Sequence, residues 1–132
     1  MRGAVTLLRG APLLDRVQLV GLYIAEAHAN DEWPVSSARY SIDGAPICVD
    51  QPLTLEARMA LAARFVTQYR WIWPMLVDSM DATTSLGARL SSWPMRAYLL
   101  HKNQLVLSSS PLGADVGLGE FLDEVSAMID RA

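Results

Sequence analysis

The order of apolar and polar positions along the chain predicts alternating helices and strands. Residues 4–14 are apolar with a loose helical period, and VQLVGLYI at 17–24 is a continuous apolar run. A run rich in Val, Leu and Ile is typical of a strand that is buried on both faces. Residues 29–53 are rich in Pro, Gly and Ser and predict a long irregular loop, and loops of that length are usually functional.

A second helix is predicted after the loop. Thr54 is a favoured N-cap residue, and Glu56 lies in the first turn. The apolar positions that recur at helical spacing are Leu55, Met59, Ala62, Ala63, Val66 and Tyr69. A short strand is then expected at 73–80, followed by a short helix at 81–90 that Asp81 would cap.

The C-terminal third predicts a hairpin and a closing helix. Residues 95–101 and 104–110 have strand character, and the two residues between them, Lys102 and Asn103, suit a tight turn. Residues 117–131 form an amphipathic helical pattern, with an apolar face made of Leu118, Phe121, Leu122, Val125, Met128 and Ile129. Alternating strands and helices that end in an antiparallel hairpin and a helix predict a three-layer α/β domain with a mixed sheet.

Composition and charge limit the classes of function. A chain of 132 residues with 52% hydrophobic and 19% charged residues is expected to form one folded domain. The net charge of −3 and the scattered Lys and Arg residues argue against a nucleic-acid partner. No apolar stretch approaches the ~18 residues that a membrane helix needs, so we expect no transmembrane segment and a cytoplasmic location.

The cysteine and histidine positions predict no metal or disulfide site. A single cysteine, Cys48, excludes an internal disulfide and a CxxC pair. His28 and His101 are far apart in sequence and show no metal-binding spacing. The apolar neighbours of Cys48 favour a buried, inert thiol, with a resolving cysteine as the alternative.

The segment YIAEAHANDEW at 23–33 carries a family resemblance. It resembles the signature of the iodothyronine deiodinases, in which a strand ends in Tyr-Ile-x-Glu-Ala-His followed by x-x-Asp-x-Trp. Three further segments resemble the family in the same order, namely TLEAR (54–58), LVDSMD (76–81) and WPMRAYLL (93–100). The resemblance covers nearly the whole chain. It implies a single thioredoxin-like domain over residues 1–132, with a family-type insertion loop at 25–53.

The resemblance assigns Tyr23, Glu26 and His28 to a catalytic proton relay. Reductive removal of iodide needs a proton delivered to carbon and a thiolate or selenolate that stays ionised. Imidazole titrates near neutrality and a neighbouring carboxylate fixes its tautomer, so a Glu–His pair can meet both needs. The alternative is that these residues only tether the long loop to the end of the strand.

Three more residues are expected to form a wall of the active site or substrate pocket, namely Asp31, Trp33 and Pro94. Pro94 matches the position where thioredoxin-like folds keep a cis-proline. For Trp33, packing of the loop onto the sheet is the stronger interpretation, because a tryptophan in a loop usually serves that purpose.

Three departures from the family pattern bear on activity. The family's selenocysteine or cysteine lies in a strand-to-helix turn that has no counterpart in this sequence. Gln51-Pro52 stands where the family has a histidine, and a serine-rich segment at 108–113 replaces one that carries a substrate-binding arginine. We therefore expect an N-terminally truncated domain that lacks the nucleophile strand and is inactive alone, with weak or no iodothyronine binding.

Two functional hypotheses follow from these sequence features. The first is a deiodinase-like oxidoreductase that uses an external thiol reductant and no bound cofactor, and acts on a small aromatic or thiol substrate. Its reaction would be reductive dehalogenation of an iodothyronine-like aromatic substrate or a more general thiol- or selenol-dependent reduction. The second is a non-catalytic thioredoxin-fold module, descended from the enzyme, that binds a partner or a ligand. Homodimerisation is left open under either hypothesis.

Overall fold

A computed structural model describes residues 2–32, 34, 41–42, 45–46, 49–112 and 117–131 and shows a mixed α/β structure. In chain order its elements are α1 (Arg2–Arg9), a 3-10 helix (Pro12–Asp15), β1 (Gly21–Tyr23), β2 (Ser41–Ile42), β3 (Ala45–Pro46), α2 (Leu55–Tyr69), β4 (Met75–Val77), α3 (Leu86–Arg89), β5 (Tyr98–His101), β6 (Gln104–Ser108) and α4 (Leu118–Asp130). The strands form small parallel and antiparallel pairs. The predicted α/β class is therefore confirmed.

β1 and β4 form a parallel pair. Gly21 lies opposite Met75 and Tyr23 lies opposite Val77, and α2 provides the crossover that a parallel pair requires. The predicted strands at 17–24 and 73–80 are both present but shorter. The prediction that the first is buried on both faces is wrong, because β1 is only half-buried. Only three residues of each strand pair with the other, so most of the apolar run lies outside the ladder.

β5 and β6 form the predicted antiparallel hairpin. Lys102 and Asn103 have φ values of 50° and 62°, and such a pair of positive φ angles suits the tight turns that match strand twist. Beyond β6, Ser109 continues the pairing. Its N–H donates to the carbonyl of Ala97 at 2.9 Å, and its hydroxyl accepts from the N–H of Ala97 at 2.9 Å. The serine-rich segment therefore extends the hairpin.

α4 closes the core against this hairpin. Leu13, Phe121 and Val125 are buried together. The partly buried side chains packed around them are Val17, Ala97, Leu99, Leu107, Leu122 and Ile129. The predicted amphipathic helix and its apolar face are confirmed, because both buried residues of α4 belong to that face.

α2 begins where the sequence predicts, but only part of its predicted face is buried, with Ala62 at 3% exposed. The Thr54 hydroxyl accepts from the N–H of Ala57 at 3.2 Å, which confirms the cap. Met59, expected to be buried, is 53% exposed, whereas Arg58 is buried. The Arg58 guanidinium donates to the main-chain carbonyls of Asp78 and Ser79, at 3.2 and 2.9 Å. These bonds turn a charged side of the helix inward.

Two local predictions need correction. The loop at 29–53 is not wholly irregular, because β2 and β3 pair within it. The short helix begins after Ser85, and not at Asp81. The Asp81 carboxylate accepts instead from the N–H and the hydroxyl of Thr83, both at 2.8 Å, and so stabilises a local turn. Within the residues placed by the structure, no helix is long and apolar enough to cross a membrane.

Candidate functional site

Tyr23 and Glu26 contact each other at the C-terminal end of β1. The strand ends at Tyr23, and the turn that follows brings Glu26 back so that its carboxylate accepts a hydrogen bond from the Tyr23 hydroxyl. Both residues are half-buried. Burial, the hydrogen bond to Glu26 and the negative charge of Glu26 together raise the pKa of Tyr23 far above its ordinary value. Tyr23 therefore remains a protonated donor at neutral pH.

An aromatic cluster borders this pair. The Tyr23 ring lies edge-on to Phe65, with 6.0 Å between ring centroids. Phe65 also contacts Tyr69 at 4.7 Å and Trp71 at 6.1 Å, and Trp71 contacts Trp73 at 4.9 Å. The two tryptophans therefore pack with other aromatic side chains. The cluster keeps water from one side of Tyr23, which accounts for the burial that raises its pKa.

Gln51 brings Asp31 and Glu26 into one hydrogen-bonded group. The N–H of Glu26 donates to the side-chain oxygen of Gln51 at 2.9 Å, and the amide nitrogen of Gln51 donates to the carbonyl of Glu26 at 3.0 Å. The main-chain N–H of Gln51 donates to the Asp31 carboxylate at 2.9 Å. Asp31 is thus linked to the main chain of Glu26 through Gln51.

His28 lies on the other side of the loop, beside the approach to β5. Its exposed ring is 6.5 Å from the ring of Trp93, and the peptide bond between Trp93 and Pro94 is cis, as the resemblance implies. The structure therefore brings the start of the loop close to the segment before β5. Trp33 and Cys48 lie outside the described residues.

Asp78 follows β4 and forms the densest polar cluster in the described structure. Its carboxylate accepts from the N–H groups of Ser79 (3.0 Å), Leu86 (2.8 Å) and Gly87 (2.9 Å) and from the hydroxyl of Ser85 (2.6 Å). Burial alone would raise the pKa of Asp78, but these four donors outweigh it and lower the pKa below its ordinary value. Asp78 is thus a buried carboxylate that orders the start of α3.

The Asp78 cluster is joined directly to the strand that carries Tyr23. The N–H of Asp78 donates to the carbonyl of Tyr23 at 2.9 Å. Ile24, the next residue along the chain, packs close to Gly87, because a Cβ on Gly87 would lie 3.0 Å from its Cγ2 atom. The cluster therefore supports the end of β1 from the side of β4.

Gly87→Ala is expected to destabilise the fold by about 1–3 kcal/mol. A Cβ at this position would lie 2.8 Å from the Asp78 carboxylate as well as against Ile24, so the cluster and the end of β1 must shift. Urea unfolding measures the change. Gly119→Ala in α4 is the matched control, since its Cβ would meet only Leu7 at 4.0 Å and alanine favours helix. Equal stability of Gly87→Ala and the wild type would contradict the close packing.

The structure joins a hydroxyl donor and a carboxylate at the end of β1, and it places the imidazole of His28 beside Trp93. Groups of these types are suited to moving protons. Among the residues that the structure describes, no group of three or more His, Cys, Asp or Glu side chains is placed to bind a metal ion. Comparison of the chain with family models, with curated proteins and with solved structures finds no match.

Proposed function

We propose that the chain is a deiodinase-like reductase of thioredoxin-like fold, in which Tyr23, Glu26 and His28 handle the proton of a reductive step. The observation that carries the proposal is the hydrogen bond from the Tyr23 hydroxyl to the Glu26 carboxylate at the end of β1. A carboxylate that accepts from a hydroxyl of raised pKa can receive a proton while the hydroxyl keeps its own. The parallel β1–β4 pair, the hairpin and the closing α4 support the fold.

The reaction class is removal of iodine from an aromatic carbon by thiols. One aryl iodide and two thiols give the unsubstituted arene, one disulfide, a proton and iodide. The carbon–iodine bond breaks, a carbon–hydrogen bond forms, and the two thiol sulfurs are oxidised as the sulfur–sulfur bond forms. The residues of this chain supply and orient the proton, whereas the electrons come from the external thiol, or from a selenol in its place.

His28 is the member of the relay that exchanges protons with solvent. Its ring is exposed, and imidazole takes up and releases protons near neutral pH. Trp93 is also exposed and lies beside His28, so the two rings offer a small aromatic substrate a surface against which to stack. The half-buried Tyr23–Glu26 pair then forms the inner end of the relay.

Thiol-dependent turnover tests the proposal. We expect no iodide release from iodinated phenols by the 132-residue chain with a dithiol alone, and release once a small selenol is added. We expect faster release when the chain is extended upstream by a strand and a cysteine turn. Iodide is measured directly, and disulfide formation must match it one to one. Absence of thiol-dependent turnover on any iodinated phenol or peroxide, with both proteins, would refute the proposal.

A second candidate function is a non-catalytic binding module, and exposed apolar side chains favour it. Leu53, Ile72 and Leu100 are 86%, 68% and 67% exposed. Large exposed apolar surfaces commonly mark interaction sites. The turnover assay separates the two candidates, since a binding module that folds cooperatively would release no iodide at any thiol concentration.

A further inference from the structure

The side-chain amide of Gln51 binds both main-chain polar groups of Glu26. The amide oxygen accepts from the N–H of Glu26 at 2.9 Å and the amide nitrogen donates to the carbonyl of the same residue at 3.0 Å. The two residues are 25 positions apart in sequence. Both peptide groups of Glu26 are thereby fixed by one side chain, as they would be by a neighbouring strand.

Gln51 is itself fixed by the turn that follows His28. Its second amide hydrogen donates to the Glu32 carboxylate at 3.1 Å, and its main-chain N–H donates to Asp31 at 2.9 Å. The N–H of Asn30 also donates to the carbonyl of Val49 at 2.9 Å, which joins the turn to the segment just before Gln51. The two ends of the loop therefore meet at Gln51.

The chemistry of an amide is required at this position. Only a group with an acceptor and two donors can bind the N–H and carbonyl of Glu26 and the carboxylate of Glu32 together. The amide is also neutral, whereas two carboxylates contact Gln51, those of Asp31 and Glu32. A glutamate at position 51 would keep the shape, lose both donors and add like charge, and alanine would remove every side-chain bond.

We propose that Gln51 is the positioning residue that sets the Glu26 carboxylate against Tyr23 for proton transfer. The inference rests on the proposed function, because it assigns Gln51 a role in that same relay. Gln51 contacts no reacting atom. It acts by fixing the main chain from which the Glu26 side chain extends, while the Tyr23 hydroxyl binds the other end of that side chain.

The first test monitors the hydrogen bonds between Gln51 and Glu26 without any activity measurement. Hydrogen exchange of the Glu26 amide and the ring-carbon chemical shift of Tyr23 are recorded by NMR. In Gln51→Ala we expect the Glu26 amide to exchange at least about tenfold faster and the Tyr23 ring-carbon shift to change, because the carboxylate is no longer held beside the hydroxyl. Gln104→Ala, an exposed residue of the hairpin, is the matched control and should change neither.

In Gln51→Glu, the protection of the Glu26 amide should be rescued at low pH, which a general loss of stability would not produce. At neutral pH it should resemble Gln51→Ala, and near pH 4 its protonated carboxyl regains a donor and should restore much of the protection. Unchanged Glu26 exchange and an unchanged Tyr23 ring-carbon shift in folded Gln51→Ala would overturn the inference whatever the activity. If these signals move as expected but no protein turns over substrate, Gln51 still positions Glu26, whereas the proposed function is refuted.

In the turnover assay we expect Gln51→Ala to lower kcat by about 10–100-fold, since a displacement of the proton donor by 1 Å can cost two orders of magnitude. Turnover of Gln51→Glu should recover as the pH falls, whereas that of Gln51→Ala should not. An active enzyme in which both variants keep the wild-type kcat and pH profile would show that Gln51 has no part in positioning Glu26.

Discussion

Asp78→Ala is expected to lower the free energy of unfolding by about 3–5 kcal/mol, a large part of the ~5–15 kcal/mol that stabilises an ordinary domain. Asp78 is only 4% exposed, and its carboxylate is the acceptor for four donors. Alanine leaves the N–H groups of Leu86 and Gly87 without this acceptor, so the start of α3 should loosen. Urea unfolding followed by circular dichroism measures the loss.

The pH dependence of this loss identifies the carboxylate as its source. The pKa of Asp78 is lowered below its ordinary value of 3.8, so the ionised carboxylate stabilises the folded state. Its contribution is fully present above that ordinary value and is lost as the pH falls through the lower pKa of the folded state. The difference between wild type and Asp78→Ala should therefore shrink in acid. Asp123→Ala, on the exposed side of α4, is the control and should cost well under 1 kcal/mol.

Asp78→Asn separates charge from shape. The amide keeps one oxygen acceptor but points a donor at groups that are themselves donors. We expect a destabilisation close to that of Asp78→Ala with the same dependence on acid, because that dependence comes from the wild-type carboxylate. A stability within about 1 kcal/mol of wild type for both variants would show that water replaces the carboxylate at no cost.

The parts of the fold that local signals determine could be predicted from the sequence. Thr54 caps α2 because a hydroxyl before a helical pattern binds a free N–H of the first turn. Lys102 and Asn103 lie between two apolar alternations, and their left-handed backbone forms the turn. The helical period of α4 correctly predicted the residues that it buries, Phe121 and Val125. In each case, the deciding interaction spans only a few residues.

The polar contacts between distant segments could not be predicted in this way. Arg58 lies on a helix whose apolar residues suggested another buried face, but carbonyls about twenty positions away bind its guanidinium. Asp78 marked a strand end in the sequence, and nothing nearby indicated that Ser85 and Gly87 would return to it. Gln51 was interpreted as a departure from a family pattern, whereas its amide joins the two ends of a loop.

The candidate site could be predicted from the sequence only in part. The resemblance placed Tyr23, Glu26 and His28 in one group, and the hydrogen bond between the first two depends only on a turn after β1. The position of Trp93 beside His28 depends on how the segment before β5 meets the loop, which no local pattern encodes. A sequence can therefore name the groups of such a relay more readily than the residues that orient them.

Glu26→Gln is expected to reduce kcat in the thiol-dependent assay by about 10²–10⁴-fold, the usual contribution of a general acid or base. The amide has the shape of the carboxylate and can still accept from Tyr23, so the packing is preserved while the proton acceptor is lost. The charge that helps to raise the pKa of Tyr23 is also lost, so its pKa should fall. Glu124→Gln, an exposed carboxylate on α4, is the matched control and should retain full activity.

The same relay predicts that its members act as a unit. Tyr23→Phe keeps the ring against Phe65 and removes only the hydroxyl, so its loss of activity measures the hydrogen bond to Glu26. Combined with Glu26→Gln it should cost little more than Glu26→Gln alone, because residues of one relay are not additive. His28→Gln should also lower the rate, and the exposed His101→Gln should not. Either of two outcomes would mean that Glu26 does not transfer the proton. In the first, the losses of activity simply multiply in the double variant. In the second, the folded Glu26→Gln protein keeps a rate within about threefold of the wild type.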